Sequence, residues 1–240
     1  MKIAAILLSL AAAVPLAAED FEKVMLPVAP SVVFCDYHSK YDTRLVAYND
    51  GDRALRQFGL AARTGTVIEG KPAAVPAPSF LYVPKSEVEQ LKMSLIVESC
   101  ERSRTEERSY TELPIVRESE FRAGKIQIVG VRMDEGFRKT LRIYGLEGSE
   151  WAAVRVRVFP LNFAWAAYEH HYALIPAPKL ANGRDSAPSF NMECDLSDYV
   201  PDSEYPVRVE IEPITPGARI WAFVSVTNNV TQHFYTVVPR

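Results

Sequence analysis

The chain has 240 residues, 48% hydrophobic and 24% charged, with 27 Lys and Arg against 30 Asp and Glu and a formal net charge of −3. These fractions lie near globular averages and exclude a disordered, collagen-like or coiled-coil chain. The near-neutral balance also excludes the basic stripe that a nucleic-acid surface needs.

Residues 1–18 open with Met1-Lys2, continue through an apolar run over 3–14, and reach Pro15-Leu16-Ala17-Ala18 just before Glu19-Asp20. A basic start, a short apolar centre and small residues ahead of an acidic segment predict a signal peptide. The run is shorter than the ~20 residues that a spanning helix requires. The expectation is an exported protein, extracellular or periplasmic, with no membrane insertion after cleavage.

Period-two alternation then dominates. Leu141 and Ile143 alternate with Thr140, Arg142 and Tyr144; Val154, Val156 and Val158 with Arg155 and Arg157; Val207, Val209 and Ile211 with Arg208, Glu210 and Glu212. Each such run predicts a strand with one buried and one wet face, as in antiparallel sheets. Turn residues such as Asn49-Asp50-Gly51-Asp52, Glu147-Gly148 and Asn182-Gly183 divide the runs. One short helix is expected after Pro84, where Ser86 and Glu89 have capping-box spacing. The mixed-charge run 98–108 (ESCERSRTEER) reads as a wet strand and turn.

Three short matches recur in order. Leu26-Pro27-Val28 returns as Leu113-Pro114-Ile115. Residues 41–48 (YDTRLVAY) return as 137–144 (FRKTLRIY), and Tyr110-Thr111-Glu112-Leu113-Pro114 returns as Tyr235-Thr236-Val237-Val238-Pro239. Ordered recurrence predicts two copies of one module. The fold expected is all-β: two antiparallel β-sandwiches in tandem over 19–116 and 117–240, with Leu45 equivalent to Leu141 and Tyr48 to Tyr144.

The Leu-Pro-Val start, the stretch 41–52 (YDTRLVAYNDGD) and the closing 219–239 (RIWAFVSVTNNVTQHFYTVVP) resemble the tandem immunoglobulin-like modules of uncharacterised secreted bacterial proteins. The resemblance covers nearly all of the chain after residue 18. It implies an immunoglobulin-like fold and secretion, and carries no catalytic residue.

Three cysteines allow at most one internal bridge. Cys35 and Cys100 both fall in the first module, and an exported protein meets an oxidising compartment, so these two are expected to pair. Cys194 is expected to be buried and free.

Motifs for chemistry are scarce. The sequence has no Gly-x-Ser-x-Gly, His-Glu-x-x-His, phosphate loop or Cys-x-x-Cys. Glu169-His170-His171 is the strongest metal candidate, but strand alternation puts only Glu169 and His171 on one face, and zinc needs more ligands. No metal, cofactor or catalytic residue is therefore assigned. The densest aromatic stretch is 162–172 (NFAWAAYEHHY). Rings with a polar handle suit surfaces that are both apolar and wet. Trp165, Tyr168, His170 and Tyr172 are the candidate ligand-binding residues; the competing expectation is that these rings fill the core. The functional expectation is a secreted, non-enzymatic binding, adhesion or structural module. Its partner would be a protein or glycan at the cell exterior, with a carbohydrate-binding or carbohydrate-active accessory protein as the alternative.

Overall fold

The computed structural model describes residues 20–27, 39–49, 67–70, 79–101, 106–146, 148–160, 163–176, 188–193, 196–198, 200 and 203–239. Residues 1–19, on which the expectation of a signal peptide rests, and Cys35, Asp50, Asp52 and Cys194 lie outside them. Among the described residues, strands pair antiparallel in four sheets, and the chain is all-β.

The first half contains β1 (Phe21–Leu26), β2 (Ser39–Asn49), β3 (Val67–Gly70), β4 (Ser79–Pro84), a one-turn α1 (Lys85–Val88), β5 (Leu91–Glu101), β6 (Ser109–Pro114) and β7 (Val116–Arg117). Its sheets run β4-β1-β7 and β3-β2-β5-β6. Val24 and Val83 from one sheet meet Ala47 and Leu91 from the other in a shared buried cluster. The second half contains β8 (Ile126–Met133), β9 (Phe137–Gly145), β10 (Ala153–Pro160), β11 (Tyr168–Ala173), β12 (Ser189–Glu193), β13 (Ser203–Pro213), β14 (Ile220–Asn228) and β15 (Phe234–Val237). Its sheets run β11-β10-β13-β8 and β12-β9-β14-β15. The alternating valines of β10 and β13 face Leu141, Ile143, Ala222 and Val224 across one core. Both halves pack sheet on sheet, as a β-sandwich does.

Several local expectations are revised. The helix after Pro84 is only four residues long, with Pro84 at its N-cap and no side-chain cap. Ser86 therefore sits inside the turn, and Glu89 beyond it is ion-paired with Arg117 at 2.8 Å. Glu98, Ser99 and Cys100 are buried in β5, where a wet face was expected, and Glu98 is ion-paired with Arg108 at 2.6 Å. Leu113-Pro114 ends β6 and so closes the first half, whereas Leu26 ends its first strand. Pairing also separates the other two matches. Leu45 pairs with Leu95 and Leu95 with Leu113, while Leu141 pairs with Val224 and Val224 with Val237. Setting Leu45 on Leu141 thus puts Leu113 on Val237 and Tyr110 on Phe234, one residue away from Tyr235. Neighbouring strand residues face opposite sides, so a one-residue slip is a change of face.

Residues 116–122 stitch the halves together. β7 pairs with β1, and the Arg117 guanidinium donates from Nε and Nη2 to both carboxylate oxygens of the buried Glu22, each at 2.8 Å. Desolvation opposes the charge on Arg117, but these bonds outweigh it and raise its pKa. Arg122 and Ile220 exchange two backbone hydrogen bonds at 2.9 Å, and Arg219 donates to the carbonyls of Glu118 and Phe121.

The sheet β12-β9-β14-β15 has central strands that are covered on both sides. Leu141, Ile143, Ile220, Ala222, Val224 and Val226 fill the core of the second half. Tyr144, Trp221 and Phe223 project from the other face and join Met25, Leu26, Phe80, Leu95, Leu113 and Phe121 in a second buried cluster. Tyr144 lies near parallel to Phe223, with ring centroids 6.2 Å apart and planes 14° from parallel. Its hydroxyl donates to the carbonyl of Pro27 in the first half. Burial pushes that phenol well above its ordinary pKa, so it remains a donor across the accessible pH range.

Truncating a buried aromatic typically costs about 3–5 kcal/mol. Trp221→Ala is therefore expected to lower whole-chain stability by that amount in urea unfolding. An exposed control, Trp165→Ala, should stay within about 0.5 kcal/mol of wild type.

Candidate aromatic platform

The β10–β11 hairpin is built by the alternation that defines its strands. Val154, Val156 and Val158 pair with Tyr172, His170 and Tyr168, so these six side chains share one face. The hairpin closes through Ala167 N–H to the Val158 carbonyl at 2.8 Å, and Phe163 N–H reaches the Pro160 carbonyl at 3.0 Å. β11 lies at the margin of its sheet, so the inward phase there is only partly covered. Tyr168 and Tyr172 lean on the core, while His170 between them is exposed.

Two tyrosines four apart on a strand have backbones about 13 Å apart. Their hydroxyls nevertheless meet at 2.9 Å, so the rings incline toward one another around His170. The imidazole stacks on Tyr168 at 6.1 Å and meets Tyr172 edge-on at 4.7 Å between centroids. At the hairpin tip Phe163 and Trp165 retain 51% and 60% of their surface exposed, with centroids 5.2 Å apart and planes tilted by 54°. The alternative expectation, that these rings fill the core, is thus met only in part by Tyr168 and Tyr172. The four candidate residues thus fall into two groups on one hairpin: the exposed Trp165, in contact with Phe163, and a half-covered Tyr168-His170-Tyr172 ladder.

The opposite face of the same sheet is ionic. Arg155 and Arg157 of β10 stand between Glu210 and Glu212 of β13 on one side and Glu169 and His171 of β11 on the other. Arg155 bonds Glu212 at 2.6 Å and Arg157 bonds Glu210 at 2.9 Å. Glu210 is buried and also receives Gln127 at 2.9 Å and Lys125 at 3.3 Å. Arg208 lies over the Phe159 ring at 4.5 Å. Each charge on this face has an opposite neighbour, so the face presents a balanced ladder.

Glu169 and His171 do share a face, 3.9 Å apart and open to solvent. Among the described residues no group of three or more His, Cys, Asp or Glu is placed to hold a metal ion. His233 is exposed in the turn before β15. Cys100 is buried with a free thiol, and its expected partner Cys35 lies outside the described residues. A hollow lined by Glu120, Arg122, Ile126, Trp221 and Pro239 holds about 60 Å³, far below the several hundred that a cofactor-sized ligand needs.

Several exposed aromatics escape sequence reasoning, among them Tyr110, Trp151 and Tyr205. Trp151 is 68% exposed and adopts φ of 60°, a left-handed conformation uncommon outside glycine. Its N–H bonds the Leu174 carbonyl at 2.9 Å, at the end of the sheet opposite the hairpin tip. The only signal for it is the preceding Gly148 turn.

No family model matches the chain, and neither a curated protein nor a solved structure matches it.

Hydrogen bonding to Arg155 holds the Glu212 carboxyl below its ordinary value of 4.5. A depressed folded-state pKa adds stability above the unfolded-state value and loses it as pH falls through the folded value. Glu212→Gln is therefore expected to be less stable than wild type at neutral pH. In thermal unfolding across an acid series, that gap should close below the carboxylate range.

Proposed function

We propose that the chain is an exported, non-enzymatic recognition module made of two immunoglobulin-like sandwiches, and that it meets its ligand through the β10–β11 hairpin. The immunoglobulin reading draws support from strand pairing. In that fold the second and fifth strands pair in one sheet, and the third, sixth and seventh in the other. Here β1 pairs with β4 while β2, β5 and β6 adjoin, and β8 pairs with β13 while β9, β14 and β15 adjoin. In the second half β10, β11 and β12 lie between β9 and β13 in the chain, and β10 and β11 form the aromatic hairpin. Export is supported by residues 1–18, and a bacterial secreted origin by the residues of the resemblance.

The observation that carries the binding site is the exposed Phe163–Trp165 pair. Leaving a large apolar side chain in water forgoes about 1.5–3 kcal/mol per residue. Two such rings in contact at a hairpin tip mark a surface used for contact with something else. Nothing in the hairpin supplies a converging nucleophile and base: His170 is flanked by tyrosines, and His171 has Glu169 only at the limit of ionic contact.

The test compares two exposed tryptophans. The wild-type chain should capture a component of its host's exterior, protein or glycan. Trp165→Ala should lose that capture while Trp151→Ala keeps it. Capture insensitive to Trp165 removes the hairpin from the binding surface.

A further inference from the structure

We infer that the hairpin tip accepts a neutral saccharide, with the apolar face of a sugar ring stacked on Trp165 and bordered by Phe163. The inference rests on the reading of this hairpin as the binding surface and names the ligand class. Four observations favour it. Residues 158–168 contain no charged side chain in a chain that is 24% charged, so no charge of the tip itself selects an ionic ligand, and the adjacent Arg157 and Arg208 are engaged on the Phe159 ring. The two rings are tilted by 54°, forming a corner with two apolar walls and not a flat plate. Trp165 is 60% exposed, and its chain neighbours Ala164 and Ala166 carry nothing larger than a methyl group. Further along the strand, the exposed imidazole of His170, set between Tyr168 and Tyr172, offers hydrogen-bonding nitrogens of the kind that sugar hydroxyls require.

Area decides between a sugar and a protein partner. Aromatic side chains carry about 150–250 Å² each, so the exposed fractions of Phe163 and Trp165 amount to roughly 250 Å². A stable protein interface takes about 800 Å² from each partner. The tip is too small for that and large enough to cover a sugar ring.

The experiment is affinity electrophoresis of the full-length exported chain in gels containing starch, mixed-linkage β-glucan, xylan or galactomannan, with polygalacturonate as the anionic arm. At least one neutral polysaccharide should retard the wild type. Trp165→Ala should weaken that association by about tenfold or more, as expected for removing a central aromatic anchor. Trp165→Phe should retain part of it, and Trp151→Ala all of it, with circular dichroism showing each variant folded. The inference is overturned if no neutral polysaccharide retards the chain, if only polygalacturonate does, or if Trp165→Ala migrates like wild type. A parallel cross-linking arm on the host's exported fraction separates the two levels. Trp165-dependent capture of a protein without polysaccharide retardation overturns the saccharide but leaves the hairpin as the binding surface. Insensitivity of both arms to Trp165 overturns both.

Discussion

β9 and β14 cannot turn a polar face to water, because each of their faces already forms part of a core. One side closes the core of the second half through Leu141, Ile143, Ala222 and Val224. The other side carries Tyr144, Trp221 and Phe223 into the cluster built around Met25, Phe80, Leu95 and Phe121 of the first half. Burying three aromatic side chains stabilises by several kcal/mol, at about 1.5–3 kcal/mol each, which is comparable to the net stability of a whole domain. The two halves are therefore joined by a core and not merely by a linker.

Such a sheet is viable only if its polar groups are satisfied, since an unpaired buried donor costs about 1–3 kcal/mol, more than the roughly 1 kcal/mol that a hydrogen bond contributes. The Tyr144 hydroxyl reaches the Pro27 carbonyl, and Arg142 donates to Ser225 at 2.6 Å while lying over Phe223. Lys139 is almost completely buried at the end of β9 and donates from Nζ to the Asp134 carbonyl at 2.8 Å and to Ser197 Oγ at 2.7 Å. Among the described residues, the opposite sheet, β11-β10-β13-β8, has no such second cover. Its outer face is instead a ladder of paired charges, and its margin carries the exposed rings. The proposed ligand surface therefore lies on the sheet that does not take part in joining the halves.

Strand identity was legible wherever one face stays wet. The Val-Arg alternation over 154–158 and the Val/Ile alternation over 207–211 give their faces directly, and the shared face of Tyr168, His170 and Tyr172 follows from spacing alone. What covers a second apolar face is not legible, because period two sorts side chains by side and says nothing of the neighbour. β14 reads IWAFVSVTN and is buried almost end to end, yet its sequence does not say that Trp221 meets the other half. The short repeats do not set register: with Leu45 placed on Leu141, Tyr110 and Tyr235 fall one residue apart, which is a change of face. The capping-box spacing at Ser86 and Glu89 failed because Pro84 begins the turn first and Arg117, 28 residues beyond Glu89 in sequence, claims the carboxylate.

Native-state hydrogen exchange tests the shared core most directly. The slowest amides of β5 in the first half and of β9 and β14 in the second should exchange through one common opening. All would share the same free energy and the same denaturant dependence, because neither half can open without exposing Tyr144, Trp221 and Phe223. Two separate openings, with the β5 amides released at a free energy well below that of β9 and β14, would show that the halves fold independently and would contradict the account.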